Sequence, residues 1–192
     1  MLARDNPFST HRVERILSFD PQLSRTSWVE IGRRWMALYS RASLVAPHGA
    51  GKSTFMDAFQ TRLETSGHSV LRLFLNQESN KLDNIQWQML EHSQQQVVML
   101  DGEEQLGYLS RRRFYQLTQN CSGLLISRHK PAKLPQLFSL EPDIQLLTTS
   151  IDRLAPEHLS QLRPMLSEWW REHDGNIREI LLRCYDSVQN LK

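Results

Sequence analysis

Apolar and polar positions along this chain follow two rhythms in turn. Over the first forty residues the period is helical: Trp28, Ile31, Trp35 and Leu38 form one apolar stripe, with Ser27 and Glu30 in capping-box register at its start. Such a stripe predicts a helix packed on something larger. Upstream, Asn6, Pro7 and Phe8 form an extended lead-in to a shorter helix over about Thr10 to Leu17, which ends before Pro21. From Ala42 the pattern changes to short apolar runs separated by helical stretches, as in a parallel sheet with crossover helices. Five strands are predicted, at Ser43 to Val45, Ser69 to Leu75, Val97 to Leu100, Gly123 to Ser127 and Ile144 to Thr148. Helices are predicted over Lys52 to Leu63, with Phe55, Phe59 and Leu63 on one face, Asn84 to His92, and Leu109 to Thr118. Arg72 interrupts the second strand's apolar run and assigns that strand to the sheet's edge.

After Thr149 the period is helical again. Ala155, Pro156 and Glu157 read as a helix start with Pro at the first position, and Pro164 is expected to break or restart that helix. Gly175 separates the segment carrying Trp169 and Trp170 from a final helix whose apolar face is Ile177, Ile180 or Leu181, Cys184 and Val188. The two tryptophans are expected to pack this cap on the sheet. The expected organisation is an N-terminal helical segment (1–40) packed on an α/β core (41–152), a three-layer sandwich with a five-stranded parallel sheet, followed by a small helical lid (153–192).

Composition narrows the class. The chain has 192 residues, 40% hydrophobic and 23% charged, which suits one globular domain with a small appendage. Eight Gly and eight Pro exclude a collagen-like or mucin-like chain, and five Trp with seven Phe supply a core and exclude intrinsic disorder. The formal charge is +2, from 23 basic and 21 acidic residues, and that balance names no partner. Cys121 and Cys184 stand far apart without His or Cys at metal spacing, the usage of a reducing compartment, and both are read as buried thiols. The N-terminal stretch lacks a signal peptide's apolar segment and no run approaches about 18 apolar residues, so a cytoplasmic, soluble protein is expected.

The strongest chemical signal is Ala46-Pro47-His48-Gly49-Ala50-Gly51-Lys52-Ser53-Thr54, lying between the first strand and an amphipathic helix. Phosphate binding needs a loop free of obstructing side chains, whose backbone N–H groups point inward, and the following helix adds the positive end of its dipole. Gly49 and Gly51 supply that freedom. The stretch resembles the Walker A loop of P-loop NTPases, with Ala46 where many members carry the first glycine. The resemblance gives Lys52 the β- and γ-phosphates and Ser53 the magnesium ion.

P-loop chemistry also needs a carboxylate near the magnesium. Val97-Val98-Met99-Leu100-Asp101 offers one, with Asp101 emerging at the carboxyl end of a buried strand, where ligands collect in an open α/β sheet. In the AAA+ and related ATPases that this order of motifs resembles, a catalytic glutamate usually follows directly, yet here Gly102 stands in that position. Glu103 and Glu104 come next, and either can orient the attacking water or serve as a solvated helix-start acid. AAA+ proteins place a polar sensor at the end of the fourth strand, where Ser127 is the better match and His129 the weaker one.

Gly175-Asn176-Ile177-Arg178-Glu179 resembles the sensor 2 segment of AAA+ lids, in which an arginine reaches across to the γ-phosphate. Asn176 with Glu179 reads as an N-cap, which puts Arg178 in the first turn, where a positive charge opposes the helix dipole by about 0.3 to 1 kcal/mol. The likeness runs through nearly the whole chain and is nearer to the origin-recognition and transposition-helper type than to unfolding motors. No arginine stands between Lys130 and Ile151 where a trans-acting finger is expected, although Arg111, Arg112, Arg113 and Arg128 can substitute. The run Arg111 to Arg113 is otherwise a solvated face or a contact to nucleic acid.

The resemblance implies an ATP-binding protein using Mg2+, a slow ATPase in which nucleotide sets the cap's angle for an unidentified protein partner. Nucleic acid and oligomerisation are left open. Lys52 and Arg178 would stabilise the transferred phosphoryl group, Ser53 and Asp101 would hold magnesium, and Glu104 or Glu103 would orient water. Two other readings stand beside it: a small-molecule or nucleotide kinase with Arg111 to Arg113 as a phosphate lid, and a non-hydrolysing, nucleotide-dependent interaction module motivated by Gly102.

Overall fold

The structure, a computed structural model, describes residues 5–131 and 133–190. In chain order it comprises α1 (Thr10–Ile16), α2 (Trp28–Ala37), β1 (Arg41–Val45), α3 (Lys52–Thr65), β2 (Ser69–Phe74), α4 (Asn84–Glu91), β3 (Gln96–Asp101), α5 (Tyr108–Leu117), β4 (Gly123–Arg128), α6 (Ile144–Leu154), α7 (Pro156–Glu172) and α8 (Ile177–Gln189). The strands form one parallel sheet in the order β1-β4-β3-β2. The strand carrying Arg72 is at an edge, as its interrupted apolar run requires.

The sheet has four strands, not five, and the expected strand Ile144 to Thr148 is the first half of α6. Apolar residues occur at both parities of that short run, so alternation fits it on either face. The longer window decides, because Leu147, Ile151 and Leu154 are buried at helical spacing and the Asp143 side chain caps the helix from the Leu146 N–H at 2.8 Å. A remnant of pairing lies on the outer side of β1. Ser43 donates its N–H to the Pro135 carbonyl at 2.7 Å and accepts from the Leu137 N–H at 2.8 Å, a single parallel bridge centred on Gln136.

Buried strands divide their side chains between two cores. Val97 and Met99 face α2 and α3 together with Leu44, Leu125, Phe55 and Phe59, whereas Val98 and Leu100 face α4 and α5 with Leu124, Ile126 and Phe114. Each such side chain contributes about 1.5 to 3 kcal/mol by leaving water. The same period of two directs Asp101, Ser127 and Arg72 to the face that α3 covers. Phe55, one turn into α3, has ring neighbours Phe19, Trp28, Phe59 and Phe138 at centroid distances of 4.7 to 6.0 Å, which ties the start of α3 to three other parts of the chain.

A third core is helical. Leu147, Ile151 and Leu154 of α6 meet Leu162 and Leu166 of α7 and Ile180, Leu181 and Cys184 of α8, with Phe8, Val13 and Ile16 from the N-terminal segment packed against them. The segment before β1 thus divides, α1 joining this helical group and α2 the sheet. Trp169 and Trp170 pack within the helical group instead of bridging it to the sheet. Pro164 neither breaks nor restarts α7, which runs through it. Its missing N–H leaves only the Ser160 carbonyl without a helical partner, and both residues are exposed to water, so the helix tolerates it.

Candidate functional site

The loop from Ala46 to Gly51 leaves β1 and enters α3. Pairing continues one residue past β1, the Ala46 N–H donating to the Arg128 carbonyl at 3.2 Å, and then the chain turns. Gly51 is the N-cap of α3; no side chain caps the helix and no acid stands in its first turn. The first N–H groups of a fourteen-residue helix are therefore left to whatever enters the loop. Gly49 has φ +70°, and a Cβ there would collide with the Asn176 side chain. Asn176 caps α8 by accepting from the Glu179 N–H at 3.3 Å, so a second helix start rests on the loop. Arg178, one residue into α8, is exposed and has no ion-pair partner among the described residues.

Lys52 folds back over this loop. Its Nζ donates to the carbonyls of Ala46 and Pro47, both at 2.7 Å, and burial lowers its pKa from the ordinary value while the charges of Asp101 and Glu104 oppose the shift. The hydroxyl-bearing Ser53 is exposed at the start of α3, and Thr54 is half-buried.

Asp101 ends β3 and is buried. The Ser127 hydroxyl, at the end of β4, donates to Oδ1 of Asp101 and accepts the Gly102 N–H at 3.0 Å. Ser127 therefore latches the two strand ends together. Oδ2 of Asp101 is held by Arg72 of β2, whose Nη2 lies 3.2 Å away and also 3.4 Å from Oδ1 of Asp57 on α3. Burial lowers the Arg72 pKa from its ordinary value and the two carboxylates oppose this, leaving the guanidinium charged.

The acids after Asp101 differ from one another. Gly102 has φ +85°, and a Cβ there would collide with the carbonyl oxygen of Leu75, which explains why a glutamate does not occupy this position. Glu103 is fully buried, with Nε of Arg111 3.0 Å from one carboxylate oxygen and Nε of Arg128 3.2 Å from the other. Burial, with the Glu103 charge next, raises the pKa of the Tyr115 phenol. Glu104 is half-buried and lies 2.6 Å from Nδ1 of His129. The His129 ring stacks on His48 of the loop at a centroid distance of 3.5 Å. Burial is the largest cause lowering the His129 pKa; the charge of Lys52 adds to it and Glu104 opposes it.

Two of the three arginines in the basic run belong to the fold. Arg111 holds Glu103 and the carbonyls of Glu104 and Leu106, at 3.1 and 2.7 Å. Arg113 pairs with Glu91 at 2.9 Å and lies over the Trp87 ring. The structure thus gathers Lys52, Asp101, Ser127, Glu104 and the start of α8 around one loop, with His129, the weaker sensor candidate, and the Asn176 cap beside them, and it adds Arg72, which the sequence placed only at the sheet's edge. Arg72 had a signal, a charge inside an apolar strand, but nothing local says that it meets a residue twenty-nine positions on.

Hard oxygen donors, the Ser53 hydroxyl and the Asp101 carboxylate, suit Mg2+, and a carboxylate bonded once on each oxygen keeps lone pairs free. Among the described residues no group of three or more His, Cys, Asp or Glu is arranged to hold a metal ion. No helix among the described residues is long and apolar enough to cross a membrane.

No family model matches the chain, and no curated protein matches it in sequence. In fold it is similar to the solved structure of C. elegans PCH-2, with 16% sequence identity and a TM-score of 0.44 over 75% of this chain. It spans about half of that protein, 51% of its length.

Proposed function

We propose that this protein binds ATP at the loop between β1 and α3 and works as a slow, nucleotide-dependent ATPase switch of the AAA+ type, coupled to a protein partner. The observation that carries the reading is the contact of Asn176 with Gly49, because it makes the cap sensitive to whatever fills the loop. Phosphate entering the loop takes the first N–H groups of α3 and draws Lys52 off the carbonyls of Ala46 and Pro47. The second helix start, with Arg178 beside it, then faces the same anion. Cap angle and nucleotide state are thereby coupled, and release of phosphate reverses the change.

Ser53 and Asp101 would hold Mg2+, which when bound supplies charge neutralisation at the phosphates. Ser127 positions Asp101. Glu103 is spent on Arg111 and Arg128, which leaves Glu104 to orient water, with His129 as the neighbour through which its proton can be held. The kinase alternative loses support because Arg111 and Arg113 are committed to the fold. The non-hydrolysing module keeps its support in Gly102, where no acid fits.

The test is binding of a fluorescent ATP analogue and phosphate release from magnesium-ATP by wild type, Lys52→Ala and Glu104→Gln. Lys52→Ala is expected to weaken binding by roughly 10- to 100-fold, the worth of charged hydrogen bonds to phosphate. Glu104→Gln should retain binding and lose turnover. Wild-type binding without turnover selects the non-hydrolysing module; absence of binding at millimolar ATP overturns the nucleotide reading.

A further inference from the structure

Arg72 has no part in that reading, yet its placement is specific. It is directed from the edge strand toward the face covered by α3, bridges the buried carboxylate of Asp101 and the exposed one of Asp57, and is itself four-fifths buried. A lysine or arginine added for solubility would point to water. Arg72 Nη1 is buried without a hydrogen-bond partner among the described residues, so the guanidinium keeps the two N–H groups of that nitrogen unspent. An arginine bound to a carboxylate is a fixed positive charge with directional donors, suited to phosphate oxygens.

Resting on the nucleotide-site reading, we propose that Arg72 is a resident counter-cation of the site: it neutralises Asp101 in the absence of metal and lets the loop bind ATP without Mg2+. A bare carboxylate at the strand end repels a tetra-anionic nucleotide and makes binding depend on a divalent ion that screens the two. With Arg72 on Oδ2 and the Ser127 hydroxyl on Oδ1, Asp101 presents little net charge to the loop. Lys52, held on the neutral Ala46 and Pro47 carbonyls, is then a positive charge that Asp101 no longer has to be paired with before any metal arrives. Asp101, its charge already neutralised, would then gain little from holding magnesium, and the metal would add little to the affinity for nucleotide.

The experiment is equilibrium titration of the full chain with a fluorescent ATP analogue, once in magnesium and once in EDTA, read by anisotropy. Wild-type affinities in the two conditions are expected to agree within about threefold. Arg72→Gln is expected to lose roughly tenfold in EDTA and less than about threefold in magnesium, the scale of one uncompensated charge near the phosphates. Arg72→Lys, which keeps the charge, should stay within about threefold of wild type in EDTA. Wild-type binding that requires magnesium by more than about tenfold, or equal losses for Arg72→Gln in both conditions, overturns the proposal and leaves the nucleotide site standing. Binding in neither condition overturns both. Circular dichroism checks that the variants fold; if Arg72→Gln does not, the wild-type ratio and Arg72→Lys decide.

Discussion

The Asn176 side chain occupies the space in which Gly49 would carry a Cβ. One residue belongs to the loop after β1 and the other caps α8, so this loop and the helical group meet at a point with no room for a methyl group. Gly49→Ala is expected to destabilise the fold by about 2 kcal/mol, from the left-handed φ and the collision together. Asn176→Gly alone costs a few tenths, since glycine is a fair N-cap. The double variant should recover part of the Gly49→Ala loss. Urea denaturation of the four proteins checks this, and purely additive losses would show that the contact is absent.

Placing an acid directly after Asp101 should destabilise the chain and bring no phosphate release with it. Gly102→Glu places a side chain at φ +85° against the Leu75 carbonyl, which itself neighbours the Leu75 N–H bond to Asp101 at 2.8 Å. A loss of at least about 2 kcal/mol is expected, with no gain in phosphate release. An unchanged urea midpoint with faster turnover would refute this account of the glycine.

Glu103 is a buried carboxylate between two guanidiniums and a phenol, and truncating it strands two positive charges. Glu103→Ala is expected to cost about 3 to 5 kcal/mol, a fall in Tm of roughly 10 °C or more for a chain of this length. Arg113→Ala, which removes an exposed pair with Glu91, should cost less than about 1 kcal/mol. Thermal melts of both variants measure the contrast, and similar small losses would sink the structural role given to Glu103.

Acid should weaken the fold through His129. Its folded pKa lies below the ordinary 6.5, from burial first and the Lys52 charge next, with Glu104 opposing and the stacked His48 adding a smaller push downward. Above pH 6.5 neither folded nor unfolded state binds the proton, so this histidine has no effect on stability. As pH falls from 6.5 toward the folded pKa the unfolded state binds it first and stability is lost, after which the loss is constant. His129→Asn should remove that component. The difference between wild-type and variant denaturation curves at pH 7.5 and pH 5.5 reads it directly, and a wild-type curve that gains stability on acidification relative to the variant would contradict the sign.

Much of this was legible along the chain. The four sheet strands, the helix after the loop, the cap at Asn176 and the edge position of β2 all follow from local causes: burial period, capping side chains and a charge in an apolar run. The same short range explains the errors. Ile144 to Thr148 carries apolar residues at both parities, and only its packing with α7 and α8 makes it helical. Pro164 looked like a break because a sequence does not say whether the orphaned Ser160 carbonyl meets water.

The sequence by itself determined the loop, since a glycine-flanked stretch ending in Lys52 and Ser53 between a strand and a helix has its geometry set by nearest neighbours in the chain. Tertiary structure alone decided what each acid does. Asp101, Glu103 and Glu104 are nearly consecutive, yet one is bound by Ser127 and Arg72, one by Arg111 and Arg128, and one by His129. A carboxylate's role is set by the charges that reach it through a low-dielectric interior, and those charges come from β2, α5 and the end of β4, residues that only the order of the sheet brings together.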